Sequence, residues 1–217
     1  MSRARSALTN LWNSHASGSG LPQVADPYLD PRTGVLRNLP GAETTEQLAA
    51  IEVDLTVSRT IQLQTNNLVP HTRDLGELRA LHRHVFQDIF DWAGEIRTID
   101  MRRGQGKFFA PRAGIEANAF HVFNALREKG HLRDLSREAF IHELADFYDQ
   151  VNFIHPFREG NGRTQRLFWS RVAHDAGWAL DWRPIHGEQL DEVSRAARED
   201  GNLAVLEEAL ALCVTSR

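Results

Sequence analysis

From Leu48 to Ala211 apolar residues return at intervals of three and four, in runs that open on capping residues. That periodicity confines most of the chain to amphipathic helices packed on one another. Thr44 with Gln47 makes a capping-box pattern, followed by Leu48, Ile51 and Leu55. Asp74 with Glu77 resembles a second such start and leads into Leu75, Leu78, Leu81, Val85 and Ile89. A third helix is expected over Ile115 to Glu128. A fourth begins near Ser136, with Phe140, Leu144, Phe147 and Val151 on one face. A fifth runs from about Asn161 to Ala176, where Gly177 is placed to stop it. Between Gly187 and Ala211 lies a sixth helix, with room for a seventh. Only Ile96 to Pro111 departs from this pattern. Its short β-favouring pieces flank Arg103-Gly104-Gln105-Gly106 and read as a small hairpin. The expected class is all-α, a helical bundle with one β excursion.

A chain of 217 residues fits one domain with a substantial core. Hydrophobic residues at 41% and charged residues at 25% exclude a disordered chain. A net charge of −4 argues against wholesale binding to nucleic acid or an anionic membrane. Ser14 to Gly20, SHASGSG, is a flexible composition, so residues 1–25 are expected to be a flexible appendage and 26–217 the folded domain. Asp26 to Pro40 carries three prolines and a glycine and reads as an extended lead-in packed on that domain. Cys213 is the single cysteine, so no intrachain disulfide forms, which suits a reducing compartment. The basic stretch Met1 to Trp12 is followed by no apolar run, unlike a secretory signal, and no stretch approaches bilayer length. The expected location is cytoplasmic.

The chemistry concentrates in His155-Pro156-Phe157-Arg158-Glu159-Gly160-Asn161-Gly162-Arg163-Thr164-Gln165-Arg166, which joins two apolar helices. Gly160 and Gly162 permit backbone conformations closed to other residues and close approach of a ligand. The loop opens into a helix start, whose unpaired N–H groups and dipole favour an anion, most often phosphate. Arg163 and Arg166 share a helix face and can fork onto one polyphosphate. Glu159 beside bound phosphates needs a bridging cation, for which Mg²⁺ (or Mn²⁺) is suited. His155 is the one side chain of the segment whose ordinary pKa lies near neutrality, so it can take a proton from an attacking hydroxyl. Singly, each feature is more often a turn, a satisfied loop histidine or a solvated face. Together they supply a base, a metal ligand, an anion nest and two phosphate forks.

This segment matches at every fixed position the His-x-Phe-x-Asp/Glu-Gly-Asn-Gly-Arg-x-x-Arg pattern of Fic domain proteins, and resembles their AMP-transferring branch. The related Doc phosphotransferases carry Ala-Asn-Lys where this chain has Gly160-Asn161-Gly162-Arg163. Phe86 to Thr98 is similar to the family's segment ahead of its flap, and Tyr28 to Asn38 to the lead-in of small bacterial members. The resemblance implies the Fic fold and transfer of AMP from ATP to a Tyr, Thr or Ser hydroxyl of a target protein. It implies His155 as the base, Phe157 as the loop's anchor in the core, and Glu159 as the magnesium ligand. Gly160, Asn161 and Gly162 would cradle the phosphates, with Asn161 near the α-phosphate, and Arg163 and Arg166 would bind the β- and γ-phosphates. The hairpin, with Gly106, Lys107 and Phe108, would be the flap that aligns a target peptide by strand addition. A transferase of another phosphoryl group (UMP, phosphate or phosphocholine) and a catalytically quiet binding module are the alternatives.

Many members are restrained by a helix bearing Ser/Thr-x-x-x-Glu-Gly/Asn, whose glutamate pairs with the second motif arginine. Neither Glu52, with Leu48 four residues ahead, nor Glu199, with Arg195 four ahead, fits that pattern. The chain therefore resembles members restrained by a separate small antitoxin protein, or a secreted effector. Other patterns fail on spacing. Gly104-Gln105-Gly106 lacks the third glycine of a dinucleotide fingerprint, and His82 and His84 do not converge on a helix. Trp92, Trp169, Trp178 and Trp182 read as packing residues.

Overall fold

The computed structural model describes residues 26–217 apart from Asn67 and His186; the expected appendage of residues 1–25 lies outside the described residues. Seven α-helices carry the fold among them: α1 (Thr45–Thr65), α2 (Leu75–Phe86), α3 (Ile115–Glu128), α4 (Arg137–Ile154), α5 (Asn161–Asp175), α6 (Gly187–Asp200) and α7 (Ala204–Ala211). Their starts follow local chemistry. Thr44 and Gln47 close the expected capping box, each side chain serving the other's backbone N–H at 3.2 Å. Ser136 Oγ accepts from Ala139 N–H. Asp74 caps α2, but Glu77 accepts from the N–H of Arg73, not that of Asp74, so the box there is displaced by one residue. Helix α2 also stops at Phe86, short of Ile89, which is buried in the turn that follows.

Helix α4 is the centre of the bundle. Phe140, Leu144, Phe147, Val151 and Ile154 are each no more than 2% exposed, and burying side chains of this kind contributes about 1.5–3 kcal/mol apiece. It packs against α3, α5 and α7, while α5 packs against α2. A second, smaller cluster gathers Tyr28 and Val35 of the lead-in with Leu48 of α1 and Phe86, Ile89, Phe90 and Trp92. The Tyr28 hydroxyl accepts from Thr98 N–H at 3.0 Å, so the lead-in is pinned to the segment before the flap.

Two β features depart from expectation. The hairpin is reduced to a single antiparallel bridge, Arg102 with Phe108, supported by Phe109 N–H to Met101 O. A two-stranded antiparallel sheet, unforeseen, pairs β1 (Trp178–Leu180) with β2 (Val214–Ser216) and ties the end of α5 to the C-terminal segment. Cys213, just before β2, is fully buried and free.

Candidate active site

The motif loop runs from the end of α4 to the start of α5 and is held from within. Asn161 turns its side chain back, accepting from Phe157 N–H at 2.9 Å and donating to Phe157 O at 2.7 Å. The Asn161 amide closes the loop through its oxygen and one N–H, and its main chain and second amide N–H remain for a phosphate. Phe157 is fully buried and stacks on His82 with centroids 3.9 Å apart. Gly160 caps α5 at φ 79°, in the left-handed region open to glycine. The N–H groups of Asn161, Gly162 and Arg163 precede the first hydrogen bond of α5, Thr164 N–H to Gly160 O, and so have no partner within the helix.

Two residues missed in the sequence do much of the holding. His82 accepts from Gly94 N–H on Nδ1 at 2.8 Å, which places its proton on Nε2, donated to Glu159 O at 2.9 Å. Burial drives its pKa down to about 3, so it stays neutral. Arg97, also buried, donates to the carbonyls of His155 and Ile154 on one side and of Ile99 and Ala110 on the other. It joins the catalytic loop to the flap. No spacing rule points to either residue, because both act on segments distant in sequence.

His155 ends α4 in the left-handed conformation, φ 44°. Its Nδ1 lies 3.3 Å from Asn152 O, so the neutral ring carries its proton there and leaves the Nε2 lone pair free. Phe109 of the flap lies flat on the imidazole, centroids 3.6 Å apart and planes 8° apart. Burial, then the positive charges of Arg103 and Arg97, push the His155 pKa down to about 3. The ring is thus held as a neutral base, and titration near neutrality is not a property of this conformation. A small cavity of about 120 Å³ borders it, lined by Arg103, Phe109, Asp191, Arg198 and Glu199 among others. The expected flap residues sit at its edge. Lys107 donates to Glu199 O at 2.9 Å, Phe108 is exposed beneath Arg102, and Gly106 faces the Glu199 carboxylate. Arg103 pairs with Asp191 of α6 at 2.7 Å.

The two motif arginines differ. Arg163 is paired with Glu52 of α1 at 2.5 Å and lies 3.4 Å from Glu159. Arg166 has no hydrogen bond or ion pair among the described residues. Its Nη1 lies beside Gly162 and Gly187, at the starts of α5 and α6. Glu159 accepts from Gly160 N–H through Oε1, and its Oε2 makes no hydrogen bond among the described residues. No cluster of three metal-binding side chains occurs among the described residues. The open Oε2 of Glu159 would suit a magnesium ion completed by phosphate oxygens and water, the donor set that ion favours.

This arrangement sets a neutral imidazole at one end of a short loop and a helix start with two guanidiniums at the other, which defines a phosphate-handling transferase site. Residues 73–173 match the Fic/DOC family. The chain is 37% identical over 181 residues to a Salmonella typhimurium protein described as "Probable protein adenylyltransferase Fic", covering 83% of this chain and 88% of that one. It is 34% identical to the Escherichia coli K12 protein of the same description, over 84% and 88% of the two chains. Among solved structures, the N-terminal Fic domain of a Bartonella quintana effector with bound ADP superposes at a TM-score of 0.83, with 25% identity over 88% of this chain and 95% of that one. The chain belongs to the Fic family.

Proposed function

We propose that the chain is a protein adenylyltransferase, moving AMP from ATP to a Tyr, Thr or Ser hydroxyl of a target protein. The observation that carries this is the free Nε2 of His155 at one end of a loop whose other end is the α5 start with Arg163 and Arg166. His155 Nε2 takes the hydroxyl proton. The hydroxyl oxygen forms a bond to the α-phosphorus as the bond to pyrophosphate breaks. The N–H groups of Asn161, Gly162 and Arg163 and the two guanidiniums hold the phosphates and the charge that develops on the leaving group. Mg²⁺ held by Glu159 would neutralise phosphate charge. The flap, with Gly106, Lys107 and Phe108, receives the target peptide, and Phe109 backs the face of the His155 ring.

Purified protein incubated with lysate and ATP labelled at the α- or the γ-phosphate tests this. Label retained only from the α-position supports AMP transfer. Label from the γ-position would replace it with phosphate transfer, and none from either would leave a quiet binding module. Labelling is also expected to cease in a chelator and to fall to about a tenth or less in Glu159→Ala. Undiminished labelling without divalent cation would remove the metal.

Restraint is proposed to come from a separate small helical antitoxin whose glutamate captures Arg166 where the γ-phosphate binds. Arg166 opens into a groove of about 860 Å³ between α1 and α5, lined by Val57, Ile61, Leu167 and Trp182 among others, with no acidic residue in its lining. Val53, Val57 and Ile61 are more than half exposed along α1. The isolated chain is expected to be toxic in bacteria, suppressed by the partner and released by Glu→Gly in the partner. An inert isolated chain that either terminal truncation switches on would place the inhibitor inside these residues. The setting proposed for the reaction is the cytoplasm, of the producing cell or of a cell that receives the protein as an effector. No helix among the described residues is long and apolar enough to cross a membrane.

A further inference from the structure

Arg163 is gripped from outside the motif. Helix α1 buries only Leu48, Glu52 and Thr56, a four-residue spacing that turns one narrow stripe into the bundle. Glu52, the middle of that stripe, accepts from Arg163 Nη2 at 2.5 Å, and its side chain is 12% exposed. No other cation pairs with Glu52 among the described residues, so Arg163 moving away would leave a buried carboxylate without its partner. The Phe86 ring supports the guanidinium from below, 4.6 Å from its carbon to the ring centre. Only Nη2 is engaged. Nε and Nη1 make no hydrogen bond among the described residues and form the edge of the fork left for an incoming oxyanion. The same Nη2 lies 3.4 Å from Glu159 Oε1.

We propose that Glu52 is a positioning residue for the nucleotide site: it anchors Arg163 over Phe86, so that the guanidinium keeps its free edge toward the phosphates and its contact with Glu159 stays at the longer 3.4 Å. The alternative geometry follows from the distances. Without Glu52, the 3.4 Å pair with Glu159 is the one left to Arg163, and its closing up would tie up the metal ligand. A phosphate site would then lose one fork and weaken its hold on Mg²⁺ in a single change. Glu52 does not act as the family's inhibitory glutamate would, because it holds the first motif arginine through one nitrogen and leaves Arg166 untouched.

The inference rests on reading Arg163 as a phosphate ligand, so the experiment tests both. Binding of a non-transferable ATP analogue is measured by calorimetry across Mg²⁺ concentrations for the whole chain carrying Arg163→Ala, Glu52→Gln, Glu52→Leu, or Glu52→Leu with Arg163→Ala. Leucine fills the space without an acceptor, and glutamine keeps an oxygen for Nη2. Arg163→Ala is expected to weaken binding about tenfold or more. Glu52→Leu should weaken it about five- to tenfold and raise the Mg²⁺ needed for half-maximal binding, yet change it less than about twofold when Arg163 is already absent. Glu52→Gln should recover most of the affinity. Wild-type or tighter binding in Glu52→Leu would overturn the proposal, the tighter result making Glu52 a competitor of the phosphates. An equal loss in both backgrounds would reduce Glu52 to a packing residue, and so would a Glu52→Leu chain that fails to fold while Glu52→Gln binds no better than Arg163→Ala. Unchanged binding in Arg163→Ala would instead remove Arg163 from the phosphate site.

Discussion

Replacing His155 with alanine is expected to abolish labelling of the target, a loss of about 10²–10⁴-fold in rate, while the ATP analogue still binds within about threefold of wild type. The separation follows from what the ring touches. Nδ1 faces Asn152 O and the ring face lies against Phe109, both protein groups on the target side of the loop. The phosphate donors belong to the start of α5 and are held by other bonds, Asn161 to Phe157 and His82 to Glu159 O, which the substitution leaves in place. The backbone of residue 155 is fixed by Arg97 through the carbonyl, which alanine retains. Transfer by His155→Ala at the wild-type rate would take the imidazole out of the reaction. A parallel loss of analogue binding would mean the ring shapes the nucleotide site as well.

Most of the scaffold was legible because its signals are local. Helix α3 occupies Ile115–Glu128 as the periodicity indicated, and α1 and α4 begin where Thr44 and Ser136 cap them. A capping side chain reaches a backbone N–H only three residues on, so sequence contains both partners side by side. The motif loop was legible for the same reason. What escaped was nonlocal. Each strand of the β1–β2 sheet is three residues long, and the pairing spans Trp178 to Ser216, too little pattern over too great a distance. Arg97, His82 and Glu52 read as ordinary helix or loop residues, since their meaning lies in partners 58, 77 and 111 positions away. The flap showed the opposite error. Its glycines and β-favouring flanks suggested a hairpin, but Arg103 and Lys107 spend their reach on α6 and only one bridge forms.

Gly160→Ala is expected to be the most damaging small substitution in the chain, and Gly177→Ala separates its two causes. Both glycines have positive φ, 79° and 89°, so alanine at either suffers the left-handed backbone cost of about 1–2 kcal/mol. At Gly177 nothing lies within 4 Å of the added carbon, and strain is the whole effect. At Gly160 the new carbon would stand 2.4 Å from Phe86 Cζ and 2.5 Å from Cε2. Phe86 cannot retreat. It is fully buried, stacked on His82 at 4.6 Å and covered by the Arg163 guanidinium, also at 4.6 Å. Pushing the ring moves the histidine that holds Glu159 O and the arginine that faces the phosphates. Overpacking of this kind adds about 1–3 kcal/mol. Chemical denaturation should therefore show Gly160→Ala destabilised clearly more than Gly177→Ala, and calorimetry should show analogue binding lost in the first and kept in the second. Phe86→Leu combined with Gly160→Ala should recover stability by withdrawing the ring edge without restoring tight binding, because Arg163 then lacks the surface it rests on. Equal destabilisation of the two glycine variants, with binding intact in both, would show that Phe86 yields freely and that the loop is not braced by that contact.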